Sequence, residues 1–255
     1  MTELRALSLE VARAAGSLLL ERFGGEARGV AAKSTATDLV SDADRDAEAL
    51  IVERLHAARP GDAIIGEEGT AQRGTSGSSW YVDPLDGTIN YLYGVPHWCV
   101  TLACADDAGA VVGVVHDPCR GETFVAERSR GAFLGTRRLS VSREAELARA
   151  LVATGFSYDA DFRRRQSSTI ARVLPAVRDL RRFGSAALDL AWVAAGRLDA
   201  YFESGVNAWD IEAGMLLVGE AGGRTTRIDR IGQDRRPAVV ASNARLHDVL
   251  RDALA

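Results

Sequence analysis

The chain has 255 residues, of which 47% are hydrophobic and 26% charged, proportions that exclude a disordered or fibrous protein and suit a globular enzyme. Its net charge of −4 argues against nucleic acid as the main partner. Three cysteines without a CxxC pair argue against a disulfide framework or a thiolate zinc site and favour a cytoplasmic location. With no signal-peptide pattern and no run of about 18 apolar residues, we expect no membrane partner.

The first half of the sequence predicts two helices followed by several strands. One helix begins after the N-cap residue Thr2 and ends at Gly24-Gly25, and a second begins after Ser41 and ends at Pro60-Gly61. A stretch rich in Gly and Ser at 74–79 predicts a flexible loop. The predicted strands of this half cover residues 63–65 and 80–82, and residues 98–142 have a strand-like pattern that includes strands at 111–115 and 122–126.

The second half alternates strands and helices. An apolar helix begins at Ser185 and ends at Gly196, and a later helix carries Trp209 and Asp210. The other elements of this half are strands at 151–153, 200–202 and 238–241 and helices at 161–173 and 243–254. This alternation predicts a layered α/β fold, and the length fits a single domain over residues 1–255.

Acidic residues gather at four places, mostly beside apolar runs. Because carboxylates held close together repel one another, such a group either takes up protons or binds a cation. Oxygen ligands without His or Cys beside them favour Mg²⁺, Mn²⁺ or Ca²⁺ over zinc. Pro84 stiffens the turn between two of the acids and can leave the Leu85 carbonyl free to face the same ion. The four groups are Asp42 with Asp44, Glu67 with Glu68, Asp83 with Asp86, and Asp210.

Gly87 and Thr88 directly follow the third acidic group and have properties that a phosphate site needs. Glycine allows a close backbone approach, and the N–H groups at the start of a following helix bind anions. A cation site beside an anion site indicates metal-assisted hydrolysis of a phosphate ester. Each feature alone has a plainer interpretation, because residues 83–87 can form a simple turn, Glu67-Glu68 a surface pair, and Asp210 a first-turn acid.

Four motifs together resemble the inositol monophosphatase family of lithium-sensitive, Mg²⁺-dependent phosphatases. Residues 83–90, DPLDGTIN, are similar to the first family signature, and residues 209–223, from WDIEAG to EAGG, are similar to the second. Gly66-Glu67-Glu68 matches the family's GEE, and Lys33-Ser34 with residues 38–44 resembles its opening motif. The order and spacing of these motifs fit the family over nearly the whole chain.

The resemblance implies the family's five-layer α-β-α-β-α arrangement and a homodimer. Residues 1–145 would form the metal- and phosphate-binding half, and residues 146–255 would supply Asp210 and the wall that meets the substrate alcohol. Two Mg²⁺ ions would share Asp83, a third and weaker ion would lie near Lys33, and Mn²⁺ would be able to replace Mg²⁺. The first ion would be held by Glu67, Asp83 and the Leu85 carbonyl, and the second by Asp83, Asp86 and Asp210.

The catalytic roles also follow from the resemblance. Glu67 and the Thr88 hydroxyl would position the attacking water, and Asp44 would accept a hydrogen bond from Thr88. The reaction would be an in-line displacement that releases phosphate from a small-molecule phosphate monoester. The residues expected to contact the substrate are Asp86, Gly87, Thr88, Ser185, Ala186, Glu203 and Asp210.

The substrate and the function each have alternatives. Glu203 aligns with a family residue that contacts an inositol hydroxyl, which favours myo-inositol monophosphate, although a solvated acid at a strand end is an equal interpretation. Trp98, within VPHW, resembles the histidinol-phosphate phosphatases of the same superfamily. The same chemistry on histidinol phosphate, fructose 1,6-bisphosphate or an adenosine bisphosphate is therefore an alternative. A function of another class is a non-catalytic, metal-binding regulatory protein.

Overall fold

The computed structural model describes residues 2–25, 28–33 and 39–255. Two of its 3₁₀ turns, Leu147–Arg149 and Leu174–Ala176, are short connections. The α-helices of the described residues are α1 Glu3–Arg22, α2 Asp42–Ala58, α3 Thr88–Leu92, α4 Ala160–Val173, α5 Ala186–Ala194, α6 Ala208–Glu220 and α7 His247–Leu254.

The strands form one large sheet, one smaller sheet and a separate two-stranded pair. Their ranges are β1 Ala31–Ala32, β2 Leu39–Val40, β3 Ala63–Gly66, β4 Ala71–Gln72, β5 Ser79–Asp86, β6 Cys99–Asp106, β7 Gly109–Asp117, β8 Glu122–Glu127, β9 Gly131–Leu134, β10 Arg137–Arg138, β11 Leu151–Thr154, β12 Asp179–Arg181, β13 Ala200–Ser204, β14 Arg224–Ile228 and β15 Ala238–Ser242. The large sheet has the order β10-β9-β8-β7-β6-β5-β3-β4, and the smaller has the order β12-β11-β13-β15-β14. The pairs β3–β5, β11–β12 and β11–β13 are parallel, whereas the other pairs are antiparallel.

Three apolar clusters separate five layers. The first lies between α1, α2 and one face of the large sheet, the second between that sheet, α5, α6 and the smaller sheet, and the third between the smaller sheet, α4 and α7. Strand alternation explains this, since Tyr201 and Val239 enter the second cluster whereas their neighbours Phe202 and Val240 enter the third. The α-β-α-β-α arrangement implied by the resemblance is confirmed.

Helix α6 packs unusually close to the large sheet. A Cβ atom at Gly113 of β7 would lie 2.7 Å from the Cα atom of Ala213, so glycine at this strand position allows the helix to approach. Since α6 carries Asp210, this contact fixes how far that side chain lies from the strand ends of the large sheet.

Most predicted elements are present. The Thr2 hydroxyl accepts a hydrogen bond from the Arg5 N–H at 3.3 Å, which confirms the predicted start of the first helix. The segment at 74–79, for which the sequence predicted a flexible loop, is held by a hydrogen bond that the Ser76 hydroxyl donates to Asp62 at 2.6 Å. It lies at the ends of β3 and β5 opposite to Glu67 and Asp83, since it leads directly into the start of β5.

The predicted start of the last helix was wrong, and the strands β1, β2, β4, β12 and β14 were not predicted. The last helix begins at His247 rather than at 243, because Ala244 has a left-handed φ of 68° and the Asn243 side chain caps the Leu246 N–H at 3.1 Å. Strand β14 was missed because its sequence, RTTRI, lacks an apolar run. It is an edge strand whose pairing with β15 comes from the fold. In the described part of the chain, no helix combines the length and hydropathy needed to span a membrane.

Candidate active site

A cleft of about 570 Å³ opens where the ends of β3 and β5 face the N-termini of α5 and α6. Both halves of the chain line it. Asp44 does not line it, because this side chain is fully buried behind Thr88. The predicted site residues that do line the cleft are Lys33, Glu67, Asp83, Leu85, Asp86, Gly87, Thr88, Ser185, Ala186, Glu203 and Asp210.

The parallel pairing of β3 and β5 brings their acids together. Carboxyl ends of parallel strands meet at one edge of a sheet, and Glu67 follows β3 directly, with its N–H bonded to the Val82 carbonyl at 3.1 Å. The register of β5 against β6 shifts between Asp83 and Asp86. Within this irregular stretch the Leu85 N–H donates to Asp83 Oδ1 at 2.9 Å, which fixes that carboxylate.

Asp210 reaches the same place from a helix. It occupies the third position of α6 and accepts a hydrogen bond from the Asn207 N–H through Oδ2 at 2.6 Å, one half of a capping box. This bond leaves Oδ1 unengaged by the cap. Where α6 begins therefore determines both that Asp210 caps the helix and that its side chain lies in the cleft.

Three carboxylates converge closely enough to hold a metal ion. Glu67, Asp83 and Asp210 each offer an oxygen, and the three oxygens lie within 4.8 Å of one another. Burial, followed by the charges of Glu67, Asp86 and Asp210, raises the pKa of Asp83 well above its usual value. Burial and the charges of Glu67 and Asp86 do the same to the pKa of Asp210. A bound cation would remove this repulsion, and the all-oxygen donor set fits a hard divalent cation.

Asp86 lies beside this cluster but is held by other partners. Its Oδ2 accepts hydrogen bonds from the Ser185 hydroxyl and from the Ala187 N–H at the start of α5, both at 2.7 Å. Burial raises the pKa of Asp86 to about 7, although these two donors work in the opposite direction. The predicted substrate-wall residue Ser185 therefore orients an acid of the first half.

Lys33 neutralises part of the negative charge. Its ammonium group donates to Glu67 at 2.8 Å and to Glu68 at 2.5 Å. Burial acts to lower the pKa of Lys33, but the charges and hydrogen bonds of these two glutamates outweigh it and raise that pKa. Burial raises the pKa of Glu68 to about 7 against the pull of Lys33. Ser34 and Asp38, which belong to the same predicted motif, lie outside the described residues.

Thr88 is fixed by two acceptors. Its hydroxyl oxygen lies 3.0 Å from Asp44 Oδ1 and 3.0 Å from the Leu85 carbonyl. Asp44 in turn caps α2, since its Oδ2 accepts from the N–H and the hydroxyl of Ser41 at 2.9 and 2.5 Å. Burial raises the pKa of Asp44, and the hydrogen bonds from Ser41 and Thr88 partly offset that rise.

The turn at Gly87 requires glycine for two reasons. Its φ of 98° is left-handed, and a Cβ atom there would lie 3.0 Å from the His97 carbonyl oxygen. The backbone then enters α3 at Thr88, whose first turn carries N–H groups that a helix leaves without internal partners. These N–H groups lie beside the carboxylate cluster, as an anion next to a bound cation requires.

Sequence reasoning missed a buried glutamate that holds Glu67 in place. Glu48 of α2 accepts from the Glu68 N–H at 2.8 Å and from the hydroxyl and N–H of Thr70 at 2.7 and 3.2 Å. It therefore organises the turn that carries Glu67. Its spacing of four residues from Asp44, which places both acids on one face of α2, was the available signal.

Asn90, the last residue of DPLDGTIN, was quoted in the sequence without a role. Its side-chain amide donates to the carbonyls of His97 and Phe183 at 2.7 and 2.8 Å. It thus joins the signature to the segment before α5. No local pattern in the sequence could have named Phe183 as its partner.

The part of the cleft formed by the second half of the chain carries further acids and two arginines, Asp189, Glu203, Arg182 and Arg236. Glu203 Oε2 accepts a hydrogen bond from the Tyr201 hydroxyl at 2.6 Å. Burial raises the pKa of Glu203, opposed by Tyr201 and by the charges of Arg182 and Arg236. Trp98 is fully buried against Phe23 and Tyr91, and it does not belong to the described lining of the cleft.

Comparison with known proteins agrees with this geometry. A model of the inositol monophosphatase family matches residues 1–254, and the chain therefore belongs to that family of phosphatases. It is 39% identical over 252 residues to an inositol-1-monophosphatase of Caulobacter vibrioides, covering 96% of this chain and 98% of that one. It is 43% identical over 218 residues to Nus factor SuhB of Xylella fastidiosa, covering 85% and 79%. The crystal structure of extragenic suppressor protein suhB from Bartonella henselae superposes with a TM-score of 0.92 at 36% identity, covering 99% and 98%.

Proposed function

We propose that this protein is a Mg²⁺-dependent phosphomonoesterase that hydrolyses myo-inositol monophosphate to inositol and phosphate. The observation that carries the proposal is the convergence of Glu67, Asp83 and Asp210 beside the Gly87–Thr88 turn in one cleft. The relative from Caulobacter vibrioides is named an inositol-1-monophosphatase, which supports inositol phosphate as the substrate.

The proposed metal ligands divide between two ions. Asp83 would be shared, as the resemblance implies, and its buried carboxylate has an oxygen within 4.8 Å of oxygens of both Glu67 and Asp210. Divalent ions, when bound, would supply a Lewis acid that activates water and neutralises charge on the phosphate and the leaving oxygen. One ion would be held by Glu67, Asp83 and the Leu85 carbonyl, and the other by Asp83, Asp86 and Asp210, with Mn²⁺ able to replace Mg²⁺ and a third ion near Lys33.

The side chains then position the reactants. The hydrogen bond to Asp44 fixes the Thr88 hydroxyl, so that its oxygen can accept a hydrogen bond from the attacking water. Glu67 would accept a proton of the same water, and the N–H groups of Gly87 and Thr88 would bind the phosphate. Ser185, Ala186 and Glu203 would contact the alcohol. Phosphoryl transfer depends mainly on such positioning and on charge neutralisation, so no covalent phosphoenzyme is required.

The experiment that tests the function is phosphate release from a substrate panel. The panel contains myo-inositol 1-phosphate, histidinol phosphate, fructose 1,6-bisphosphate and 3′-phosphoadenosine 5′-phosphate, each with Mg²⁺ and with or without EDTA or Li⁺. We expect preference for inositol phosphate, loss of activity with EDTA and inhibition by lithium. Preference for another substrate would retain the metal chemistry and reject inositol phosphate. Failure to hydrolyse any of them, by folded and metal-loaded protein, would reject the enzyme.

A regulatory protein without catalysis is the second candidate, favoured by the name Nus factor SuhB of a relative that is 43% identical. The variant Asp210→Asn separates the two. The asparagine can keep the cap on the Asn207 N–H but removes a charged ligand, so an enzyme loses turnover while its fold persists. Equal phosphate release by folded wild-type and variant protein would contradict catalysis at this site.

We further propose, on the resemblance, a homodimer, a cytoplasmic location and a single domain in which residues 1–145 and 146–255 supply the two sides of the cleft. Light scattering of the purified protein measures the first of these directly. A monomer at micromolar concentration would contradict it.

A further inference from the structure

Asp189 is a buried acid on the cleft wall with an unsatisfied oxygen. It lies in the first turn of α5, lines the cleft, and is 1% exposed. Within the described part of the chain, its Oδ1 has no hydrogen-bond partner. A buried carboxylate oxygen without a donor is destabilising, so such a group in a cleft calls for an explanation, and a ligand that donates a hydrogen bond is one.

Other buried aspartates of this protein show how such groups are normally satisfied. Asp62 accepts hydrogen bonds from Arg59, Ser76 and the Trp80 indole. Asp117 and Asp234 are each paired with an arginine three and two residues further on. Among the described residues, Oδ1 of Asp189 has no such partner, and Asp189 lines the cleft instead.

The surroundings of Asp189 indicate which chemical group would satisfy it. It shares the wall with Glu203, whose Oε2 is already engaged by the Tyr201 hydroxyl. Asp189, Asp86, Glu203 and Arg182 all line the cleft. Burial and the charges of Glu203 and Asp86 raise the pKa of Asp189, and the charge of Arg182 opposes this rise. Carboxylate oxygens suit groups that donate hydrogen bonds, and Arg182 and Arg236 in the same lining partly neutralise the two acids.

The position of Asp189 along α5 fits the size of a sugar-like ring. Ser185, one helical turn earlier, orients Asp86 at the metal side of the cleft. Asp189 lies four residues further, which is about 6 Å along the helix axis and on the same face. The phosphate end and the acid are thus separated by approximately the width of one six-membered ring.

We propose that Asp189 is a specificity residue that accepts a hydrogen bond from a hydroxyl of the leaving alcohol, beside Glu203. It selects polyhydroxy alcohols and disfavours substrates that lack hydroxyl groups. This inference rests on the proposed phosphatase function and adds a residue and a rule of selection to it.

The test compares two substrates in the variants Asp189→Ala and Asp189→Asn. Myo-inositol 1-phosphate carries hydroxyls for the wall, whereas p-nitrophenyl phosphate carries none. We expect the ratio of kcat/KM for inositol phosphate over kcat/KM for p-nitrophenyl phosphate to fall about tenfold in Asp189→Ala, mainly through a higher KM for inositol phosphate. We also expect the thermal midpoint of the free variants to equal or exceed that of wild type, because an unsatisfied buried acid is removed.

A structural role for Asp189 predicts other results. An unchanged ratio of the two kcat/KM values overturns the inference, whatever the thermal midpoint of the variant. Asp62→Asn is the matched control, since it alters a fully hydrogen-bonded buried aspartate away from the cleft and should lower stability without changing the ratio. Wild-type protein can be assayed with monodeoxy-inositol 1-phosphates in addition. If no single deoxygenation lowers kcat/KM at least severalfold, the wall selects no hydroxyl, and the inference is wrong even if both variants fail to fold.

The failure of the inference and that of the proposed function are distinguishable. Wild-type protein that hydrolyses neither substrate with Mg²⁺ refutes the phosphatase, and the inference falls with it. Wild-type activity on both substrates with an unchanged ratio in the variants refutes the inference alone.

Discussion

The buried histidine His97 should make the stability of this protein fall on acidification. Its ring stacks on Phe183 with centroids 5.0 Å apart and meets Trp192 edge-on at 5.1 Å. Burial, helped by the positive charge of Arg120, lowers the pKa of His97 from 6.5 to about 4. The folded state therefore favours the neutral ring, and the unfolded chain takes up a proton first as the pH falls.

The size of the effect follows from proton linkage. Above the unfolded pKa of 6.5 the contribution of His97 to the free energy of unfolding is fully present. Between about pH 7.5 and about pH 4.5 the folded protein should lose about 2.5 kcal/mol through this residue alone. The variant His97→Phe keeps an aromatic ring against Phe183 and Trp192 and cannot be protonated. The difference in unfolding free energy between variant and wild type should thus grow by about 2.5 kcal/mol over this interval.

Urea denaturation of both proteins at several pH values measures that difference. Other groups that titrate in this interval, including His116 and His247, are present in both proteins and cancel. The control is His56→Phe, which replaces an exposed histidine on α2. If the difference for His97→Phe does not change with pH, or if the control shows a trend of the same size, the assignment to the buried ring is refuted.

Three further perturbations test the site. Saturating Mg²⁺ at about 100 times its Kd should stabilise the protein by about 2.7 kcal/mol, or roughly 5–8 °C in thermal midpoint. If EDTA added to the metal-loaded protein does not lower the thermal midpoint, a cation site is contradicted. Glu48→Gln should raise the Mg²⁺ concentration for half-maximal activity about tenfold, because the turn carrying the first ligand loosens, whereas Glu53→Gln on the exposed face of the same helix should leave it unchanged. Gly87→Ala should lower the unfolding free energy by about 1–3 kcal/mol in urea titrations. Gly94→Ala, also at a left-handed φ but in open space, should cost less, and an equal loss would show that the contact with the His97 carbonyl is unimportant.

Local chemistry made part of the site readable from sequence. Asp83 and Asp86 come after apolar strand residues, Gly87 marks a left-handed turn, and Asp210 comes just after a helix start. The local conformation at each of these residues is therefore predictable from a few neighbouring positions. The layers were readable for the same reason, because apolar alternation decides which face of a strand is buried. The resemblance of the four motifs to the inositol monophosphatase family then assigned these residues to one metal and phosphate site.

The remainder depends on partners distant in the chain. The spacing of Glu48 from Asp44 indicates a shared helix face, but it does not identify the turn some twenty residues later whose N–H groups Glu48 accepts. No role was predicted from sequence for Asp189 of the apolar helix α5, and the folded cleft shows that its Oδ1 lacks a donor among the described residues. Edge strand β14 and the late start of α7 likewise depend on tertiary pairing and on a left-handed residue that no pattern signals.

Asp44 and Asp210 each occupy the third position of a helix and cap its start. The same carboxylates also take part in the site, since Asp44 holds the Thr88 hydroxyl and Asp210 lines the cleft. One residue inserted ahead of either acid within its first turn would rotate that side chain by about 100° about the helix axis and would uncap the helix as well. The chain can therefore change length freely at exposed hairpins such as the one at 106–109, but not at these two helix starts. In proteins with this arrangement, insertions and deletions should occur at hairpins. The number of residues in the first turns of α2 and α6 should stay constant.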